Sequence, residues 1–284
     1  MPRSPTGSPT IFGIVNLTED SFSDGGRYLD PAAALAHARA LAAAGAQVVD
    51  LGASASNVDA KPVAPEEEIR RLEPLISALK ADPARVSVDS FLPEVQRFAI
   101  ARGVDFLNDI QGFPDPSFYP ELAAARSRLV VMHAVQGRGR AQRRELSPDQ
   151  VWDLICGFFS QRIAALERAG VARGRIVIDP GMGFFLSSRP EASLHVLARL
   201  GELKRAFGLP VLVSVSRKSF LRAITGRATA GELGAATLAA ELYAAEHGAD
   251  YIRTHDPSAL ADALRVMAAL RDAARLPDRG SATG

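Results

Sequence analysis

Residues 209–220 read LPVLVSVSRKSF, an apolar run that ends abruptly in two cations and two hydroxyls. Strongly hydrated groups cannot follow a buried strand into a core, so residues 216–219 must lie where the strand emerges. On its own the stretch fits two interpretations equally well, a strand that ends at a functional face and a solvated loop after a strand. The rest of the chain decides between the two interpretations, because the pattern recurs.

Seven further apolar runs also end in a polar residue at their carboxyl end, and helix-favouring segments separate them. In a (β/α)₈ barrel the carboxyl ends of all strands meet on one face, which carries the active site. The pattern therefore predicts an α/β protein with a single (β/α)₈ TIM barrel. The polar residues that end these runs are Asn16, Asp50, Asp89, Asn108, His133, Asp179, and Arg253 with His255.

The length of 284 residues is close to that of one such barrel. We expect a single barrel domain at residues 10–273, with flexible tails at residues 1–9 and 274–284. Residues 191–207 and 231–247 are each predicted as one helix. The last helix is predicted over residues 258–270.

Composition excludes several classes of protein. The formal net charge of +1 gives no reason to expect a nucleic-acid partner. There is no apolar run of about 18 residues that could span a membrane, and residues 1–9 lack the apolar core of a secretory signal. The single Cys156 suits a reducing compartment, so the predicted location is cytoplasmic.

The predicted face carries two kinds of chemistry. Asp89 and Asp179 each end a β-branched run, so both should be partly buried and in need of partners. With Asn108 between them, they suit a flat ligand whose guanidine-like edge donates parallel hydrogen bonds. The alternative is that these acids pair with the cations of the same face, Lys218, Arg217 and Arg253.

A separate donor group, Arg253, His255 and Asn16, suits an anionic oxygen cluster such as a diphosphate. The chain has neither a glycine-rich nucleotide-binding motif nor a GxSxG elbow, and its histidines lack metal-ligand spacing. A Mg²⁺ ion held mainly by diphosphate oxygens and the Asn16 oxygen is compatible with these residues.

Eight motifs carry a family resemblance. IVNLTEDSFSDGG, VVDLG, VSVDS, LNDIQGF, VVMH, IDPGMGF, SVSRKSF and IRTHD occur in the order seen in dihydropteroate synthases, over roughly residues 11–270. The resemblance implies a TIM barrel that is usually dimeric and uses Mg²⁺. It also implies condensation of 6-hydroxymethyl-7,8-dihydropterin diphosphate with p-aminobenzoate, giving 7,8-dihydropteroate and diphosphate in folate biosynthesis.

The resemblance also implies roles for individual residues. Lys218, Arg253 and His255 would be catalytic, and Asn16, Arg253 and His255 would bind diphosphate, with Asn16 also contacting the metal. The pterin would be bound by Asp89, Asn108, Met132, Asp179 and Lys218. The p-aminobenzoate pocket would contain Phe22, Ser219, Phe184 and Phe185.

Two loops depart from the family pattern. Residues 53–59 read ASASNVD where most members have GESTRPG, so Asn57 replaces an arginine, and residues 183–188 read GFFLSS where most have GFGK. Both departures are similar to those of the mobile, sulfonamide-insensitive synthases. We therefore expect sulfonamide insensitivity, with Phe184 or Phe185 blocking the bulky drug. The alternative is that either ring only fills the core beneath its loop.

Two other functions fit parts of the pattern. A pterin-dependent methyltransferase domain would share the acids that grip the pterin, but it would not need SRKS and RTH aimed at a diphosphate. A non-catalytic pterin-binding homologue would explain the altered loops. Release of diphosphate that depends on p-aminobenzoate distinguishes the three.

Overall fold

The computed structural model describes residues 7–18, 30–55, 62–137, 139 and 141–274. Within them, eight parallel strands form one sheet in the order β6-β5-β4-β3-β2-β1-β8-β7. The strands are β1 Thr10–Asn16, β2 Val48–Gly52, β3 Arg85–Asp89, β4 Phe106–Asp109, β5 Arg128–Met132, β6 Ile176–Asp179, β7 Leu212–Val213 and β8 Tyr251–Thr254.

The sheet closes between β6 and β7. Ile178 forms a parallel bridge with Val211, and the Ile178 N–H donates to the Pro210 carbonyl at 3.0 Å. Closure removes the exposed edges that an open sheet would leave. The predicted (β/α)₈ TIM barrel is confirmed.

The helices lie between the strands along the chain. Helices α1, α2, α3, α5, α6 and α10 begin at a proline, whose fixed φ suits the first helical position. Asp30 caps α1, since its carboxylate accepts the N–H groups of Ala32 and Ala33. The bounds are α1 Pro31–Ala43, α2 Pro65–Leu79, α3 Pro93–Ala101, α4 Tyr119–Ala124, α5 Pro148–Arg168, α6 Pro190–Ala198, α7 Leu200–Phe207, α8 Ser219–Thr225, α9 Gly234–Glu246 and α10 Pro257–Ala273.

Two predicted helices were wrong in detail, and one short helix was missed. The single helix expected at residues 191–207 is divided into α6 and α7 at Arg199, whose φ and ψ are −107° and 13°. Its guanidinium lies 3.8 Å from the Trp152 ring, a tertiary contact that the local pattern does not encode. The helix expected at residues 231–247 begins as a 3₁₀ turn, Ala230–Leu233. The short helix α8 was not predicted.

The core divides into an outer and an inner part. The larger cluster packs the helices against the outside of the barrel. Inside, Phe12, Phe106 and Tyr251 meet edge to face, with centroids 5.0 to 6.0 Å apart. The inner cluster fills the barrel toward the amino ends of its strands with Phe12, Val48, Phe106, Val130, Val177, Leu212 and Tyr251. The predicted site residues lie beyond this cluster, at the carboxyl ends of the strands, while Arg85 and Arg128 contact Phe106 and Tyr251 at the amino ends.

Among the described residues, no helix combines the length and the apolar character that crossing a membrane requires. Residues 1–6 and 275–284 of the two expected tails lie outside the described part of the chain.

Candidate active site

A cavity at the carboxyl end of the barrel brings together seven of the predicted site residues. Strand register explains part of this, because Asp89 pairs with Asn108 and Met132 pairs with Asp179 across neighbouring strands. The sequence placed these residues on one face, and the structure places them around one cavity. Its lining consists of Asp89, Asn108, Ile110, Met132, Asp179, Gly181, Met182, Phe185, Ser214, Lys218 and Arg253.

Arg253 lies between two carboxylates. Its Nε donates to Asp50 Oδ2 at 2.5 Å, and its Nη2 donates to Asp89 Oδ2 at 2.6 Å. Asp50 is fully buried within β2, so its charge requires this partner. Burial raises the pKa of Asp89 to about 7, although the charge of Arg253 opposes the shift. The alternative that the acids pair with cations therefore holds for Asp89, and Arg253 also pairs with Asp50.

Asp179 differs because no cation of the described residues bonds to it directly. Its Oδ1 accepts the N–H of Gly181 at 2.8 Å, and burial raises its pKa to about 6, opposed first by that hydrogen bond. The turn requires glycine, since Gly181 has φ +75° and a Cβ there would lie 2.5 Å from the His133 carbonyl oxygen. The carboxylate keeps acceptor capacity toward the cavity.

Two more acceptors face the same space. Asn108 Oδ1 and Ser214 Oγ are buried, and in the part of the chain that the structure describes neither has a hydrogen-bond partner. A buried polar atom without a partner costs free energy. Together with Asp179 they form an acceptor-rich wall that suits a planar ligand carrying N–H donors.

Lys218 forms the opposite side of the cavity. Burial lowers the pKa of its ammonium to about 8, with Arg253 adding to the shift and Asp179 and Asp89 opposing it. The Nζ atom lies 5.3 Å from the centroid of the Phe185 ring. Its backbone follows Arg217, which has the unusual φ of +59°. Lys218 is therefore a preorganised cation at the edge of the cavity.

His255 is oriented by Ser216. The Ser216 Oγ accepts the backbone N–H of His255 at 3.3 Å, and it lies 2.9 Å from Nδ1 of the same residue. When the Ser216 hydroxyl donates to Nδ1, the proton of the neutral ring lies on Nε2. Burial lowers the pKa of His255 well below its usual value. The ring thus offers one N–H donor, and sequence reasoning missed this function of Ser216.

Asn16 ends β1 beside Gly52 on β2. A Cβ on Gly52 would lie 3.7 Å from the Asn16 Oδ1, so the glycine leaves space in front of the amide. The described residues contain no group of three or more His, Cys, Asp or Glu side chains that could hold a metal. The Asn16 oxygen can therefore contribute to a cation site only if most of the other ligands come from the substrate, as with Mg²⁺ bound to phosphate oxygens.

His133 ends β5 but does not line the cavity. Its Nδ1 lies 3.2 Å from the Pro180 carbonyl oxygen, and its ring packs edge to face on Phe158. Burial lowers its pKa to about 4, so the ring is neutral. Its contacts support the turn that presents Asp179.

The two neighbouring phenylalanines face different spaces. Phe185 is 5% exposed and packs with Ile110 and Met132, so the expectation that a ring fills the core applies to it, although it also lines the first cavity. Phe184 lines a second cavity of about 330 Å³ that also contains Ser219. The lining of this cavity is Phe184, Ser187, Ser188, Ser219, Phe220, Arg222, Ala223 and Arg227. Phe22 and Asn57 lie outside the described residues.

Comparison with known proteins agrees with this geometry. Residues 12–255 match the family model described as pterin binding enzyme, and the chain belongs to that family. A dihydropteroate synthase type-2 of Escherichia coli is 60% identical over 266 residues, which are 94% of this chain and 97% of the relative. Its relatives therefore place this chain among the dihydropteroate synthases.

Two solved structures of the same class superpose on the barrel. The dihydropteroate synthase of Xanthomonas albilineans with 4-aminobenzoic acid has a TM-score of 0.84 and 38% identity, covering 94% of both chains. The enzyme of that organism in complex with 7,8-dihydropteroate has a TM-score of 0.79 and 35% identity, covering 94% of this chain and 95% of the other.

Proposed function

We infer that this chain catalyses the dihydropteroate synthase reaction, condensing 6-hydroxymethyl-7,8-dihydropterin diphosphate with p-aminobenzoate. The observation that carries the inference is the acceptor-rich wall of Asp179, Asn108 and Ser214 facing the cations Lys218 and Arg253 across one cavity. A pterin presents a guanidine-like edge of N–H donors to such a wall and a ring oxygen to such a cation.

We propose that Asp179 and Asn108 accept the donor edge of the pterin, that Met132 packs on its ring, and that Lys218 donates to its oxygen. Asp89 contributes mainly by holding Arg253, because its Oδ2 is already bound to that guanidinium. The space between these side chains is only about 20 Å³, so it must widen for a pterin ring to enter.

Arg253, His255 and Asn16 are proposed to bind the diphosphate. Mg²⁺ would be held by diphosphate oxygens and the Asn16 oxygen, and it would neutralise charge on the leaving group. The neutral His255 offers its Nε2–H as a donor, and diphosphate binding beside it would favour the imidazolium. Arg253 offers the charged donors.

The reaction that these groups support breaks the bond between the pterin methylene carbon and the diphosphate oxygen. The electron pair leaves with diphosphate, and the lone pair of the aryl amine forms the new carbon–nitrogen bond. The nitrogen then loses a proton to solvent. Because the aryl amine is neutral at pH 7, the protein's contribution is mainly electrostatic and positional, with fixed donors at the departing oxygens.

The second cavity is proposed as the p-aminobenzoate pocket. Ser219 and Phe184 line it, and Arg222 and Arg227 supply positive charge for a carboxylate. Phe184 is itself braced, because the Arg143 guanidinium carbon lies 5.7 Å from its ring centroid. A rigid ring at this point would exclude a tetrahedral sulfonyl with a bulky substituent more strongly than a small planar carboxylate.

Sulfonamide insensitivity is therefore predicted to depend on the phenylalanine pair. A clash of roughly 3 to 4 kcal/mol would weaken inhibitor binding a few hundredfold. Phe184→Ala should restore inhibition with little change in the KM for p-aminobenzoate. Phe185→Ala should also weaken pterin binding, because Phe185 contacts Met132 and Lys218. If both variants stay folded, active and insensitive to sulfonamides, the loop that carries Phe184 and Phe185 does not cause the insensitivity.

The experiment that tests the function is diphosphate release by the purified chain with the pterin diphosphate and Mg²⁺. Release that requires p-aminobenzoate, with formation of dihydropteroate, is the expected result. A pterin-dependent methyltransferase or a non-catalytic pterin-binding protein would release none. The homodimer and the cytoplasmic location remain predictions, and light scattering on the purified protein measures the former.

A further inference from the structure

Helix α9 carries two buried polar side chains on the face that packs against β8. Thr237 is 6% exposed and Glu241 is 2% exposed. Their spacing of four residues puts both on one side of the helix. Most of the helix is otherwise alanine and leucine, so the two buried polar side chains stand out on an apolar helix.

Thr237 supports the turn that carries Lys218. Its Oγ1 accepts the backbone N–H of Arg217 at 3.2 Å. Arg217 has a φ of +59°, a conformation that non-glycine residues adopt only when their surroundings hold it. On either side of it lie Ser216, which orients His255, and Lys218. The hydroxyl of Thr237 therefore stabilises the conformation that aims both side chains.

Glu241 supports the end of β8. Its carboxyl group is hydrogen-bonded to the side chain of Thr254, a fully buried residue that lies between Arg253 and His255. The Thr254 Oγ1 accepts the N–H of Asp256 at 3.2 Å, and its own hydrogen remains to donate to the Glu241 carboxyl group. The hydroxyl thus connects α9 to the backbone on both sides of His255.

A purely structural role does not account for Glu241 well. Its Oε1 is buried, and among the described residues it has no hydrogen-bond partner. Burial raises the pKa of Glu241 to about 8, with Asp256 adding to the shift and Thr254 opposing it. A leucine would fill such a site without burying a polar group.

We propose that Glu241 and Thr237 are positioning residues that hold the end of β8 and the Ser216–Ser219 turn in the geometry required for the diphosphate end of the pterin substrate. The proposal rests on the assignment of Lys218, Arg253 and His255 to that end of the reaction. Neither side chain lines either cavity. Thr237 acts through the Arg217 backbone N–H, and Glu241 acts through the Thr254 side chain.

The test compares Glu241→Leu with Glu241→Gln in steady-state kinetics with both substrates and Mg²⁺. Glutamine keeps an acceptor for Thr254 and resembles the protonated acid, so it should retain most of the activity. Leucine should raise the KM for pterin diphosphate on the order of tenfold, as when a supporting hydrogen bond behind a ligand is lost. The KM for p-aminobenzoate should not change.

Leu166→Ala on α5 is the matched control, since Leu166 is fully buried and far along the chain from the site. It should lower the melting temperature and leave both KM values unchanged. Should Glu241→Leu fail to fold, Thr237→Val replaces it, and loss of kcat/KM for pterin diphosphate alone is again expected.

If Glu241→Leu or Thr237→Val is active with both KM values and kcat of the wild type, the residues only fill the core and the proposal is overturned. A fall in kcat alone also overturns it, if both KM values stay unchanged as they should in Leu166→Ala. An inactive wild-type enzyme would instead refute the proposed function, so the two failures are distinguishable.

Discussion

Asp50→Asn tests the ion pair that organises the candidate site. Asp50 is fully buried, and its Oδ2 receives the Arg253 Nε at 2.5 Å. Asparagine has nearly the same shape, so the substitution removes the charge and leaves the packing. Its amide oxygen can still accept the hydrogen bond, and its amide nitrogen takes the place of Oδ1, which has no partner among the described residues.

The expected cost follows from these contacts. Removing one partner of a buried ion pair typically costs about 3–5 kcal/mol, because the other charge is left uncompensated. Arg253 keeps Asp89 as a second partner, at 2.6 Å, and keeps a neutral acceptor at residue 50. We therefore expect a destabilisation of about 2 kcal/mol, or roughly thirtyfold in the unfolding equilibrium.

The measurement is urea unfolding at pH 8, combined with the KM for pterin diphosphate. Asp109→Asn is the matched control, because Asp109 is also a buried carboxylate but bonds to Gln96 and backbone N–H groups. Both variants should lose stability, and only Asp50→Asn should raise that KM. If Asp50→Asn loses less than about 0.5 kcal/mol and keeps the wild-type KM, Asp50 does not hold Arg253 and the reasoning fails.

Asp179→Asn should lower pterin affinity by a few kcal/mol in calorimetry, since a charged acceptor is replaced by a mismatched donor, and unchanged affinity in a folded variant would reject the assignment. Lys218→Ala and Arg253→Ala should each lower turnover roughly a hundredfold in variants that still melt cooperatively, with Arg253→Ala melting at a lower temperature because Asp50 and Asp89 lose their partner, and near-normal turnover would remove that residue from the mechanism. Plotted against pH, kcat/KM for pterin diphosphate should rise through about 6 as Asp179 ionises and fall above about 8 as Lys218 loses its proton. A flat profile, or an acid limb that survives Asp179→Asn, contradicts these roles.

The barrel and its active face were predictable because both are encoded locally. An apolar run followed at once by a polar residue, as at residues 85–89 and 176–179, fixes a strand and the end at which it meets solvent. In the structure these two runs are the strands β3 and β6. Helix α8 was missed because it has only seven residues and no side-chain cap.

The partners of the polar residues were not predictable in the same way. Asp50 and Asp89 both end their motifs in the sequence, yet Arg253 reaches both only because β8 pairs with β1 and β1 pairs with β2. The phenylalanine pair shows the same limit. Phe184 and Phe185 are adjacent in a 3₁₀ turn, so successive side chains point in different directions, and only the fold decides which cavity each one lines.

Arg253 was predicted to bind diphosphate, and it is found in an ion pair with two carboxylates. The two roles are compatible because a guanidinium has five N–H donors in a fixed plane. Nε and Nη2 bind Asp50 and Asp89, and no hydrogen bond from Nη1 occurs within the described residues. The carboxylates raise the pKa of Arg253 despite its burial, so its charge persists at every working pH. They also lock the plane of the group, which leaves the remaining donors oriented before the diphosphate arrives, as electrostatic stabilisation of a leaving group requires.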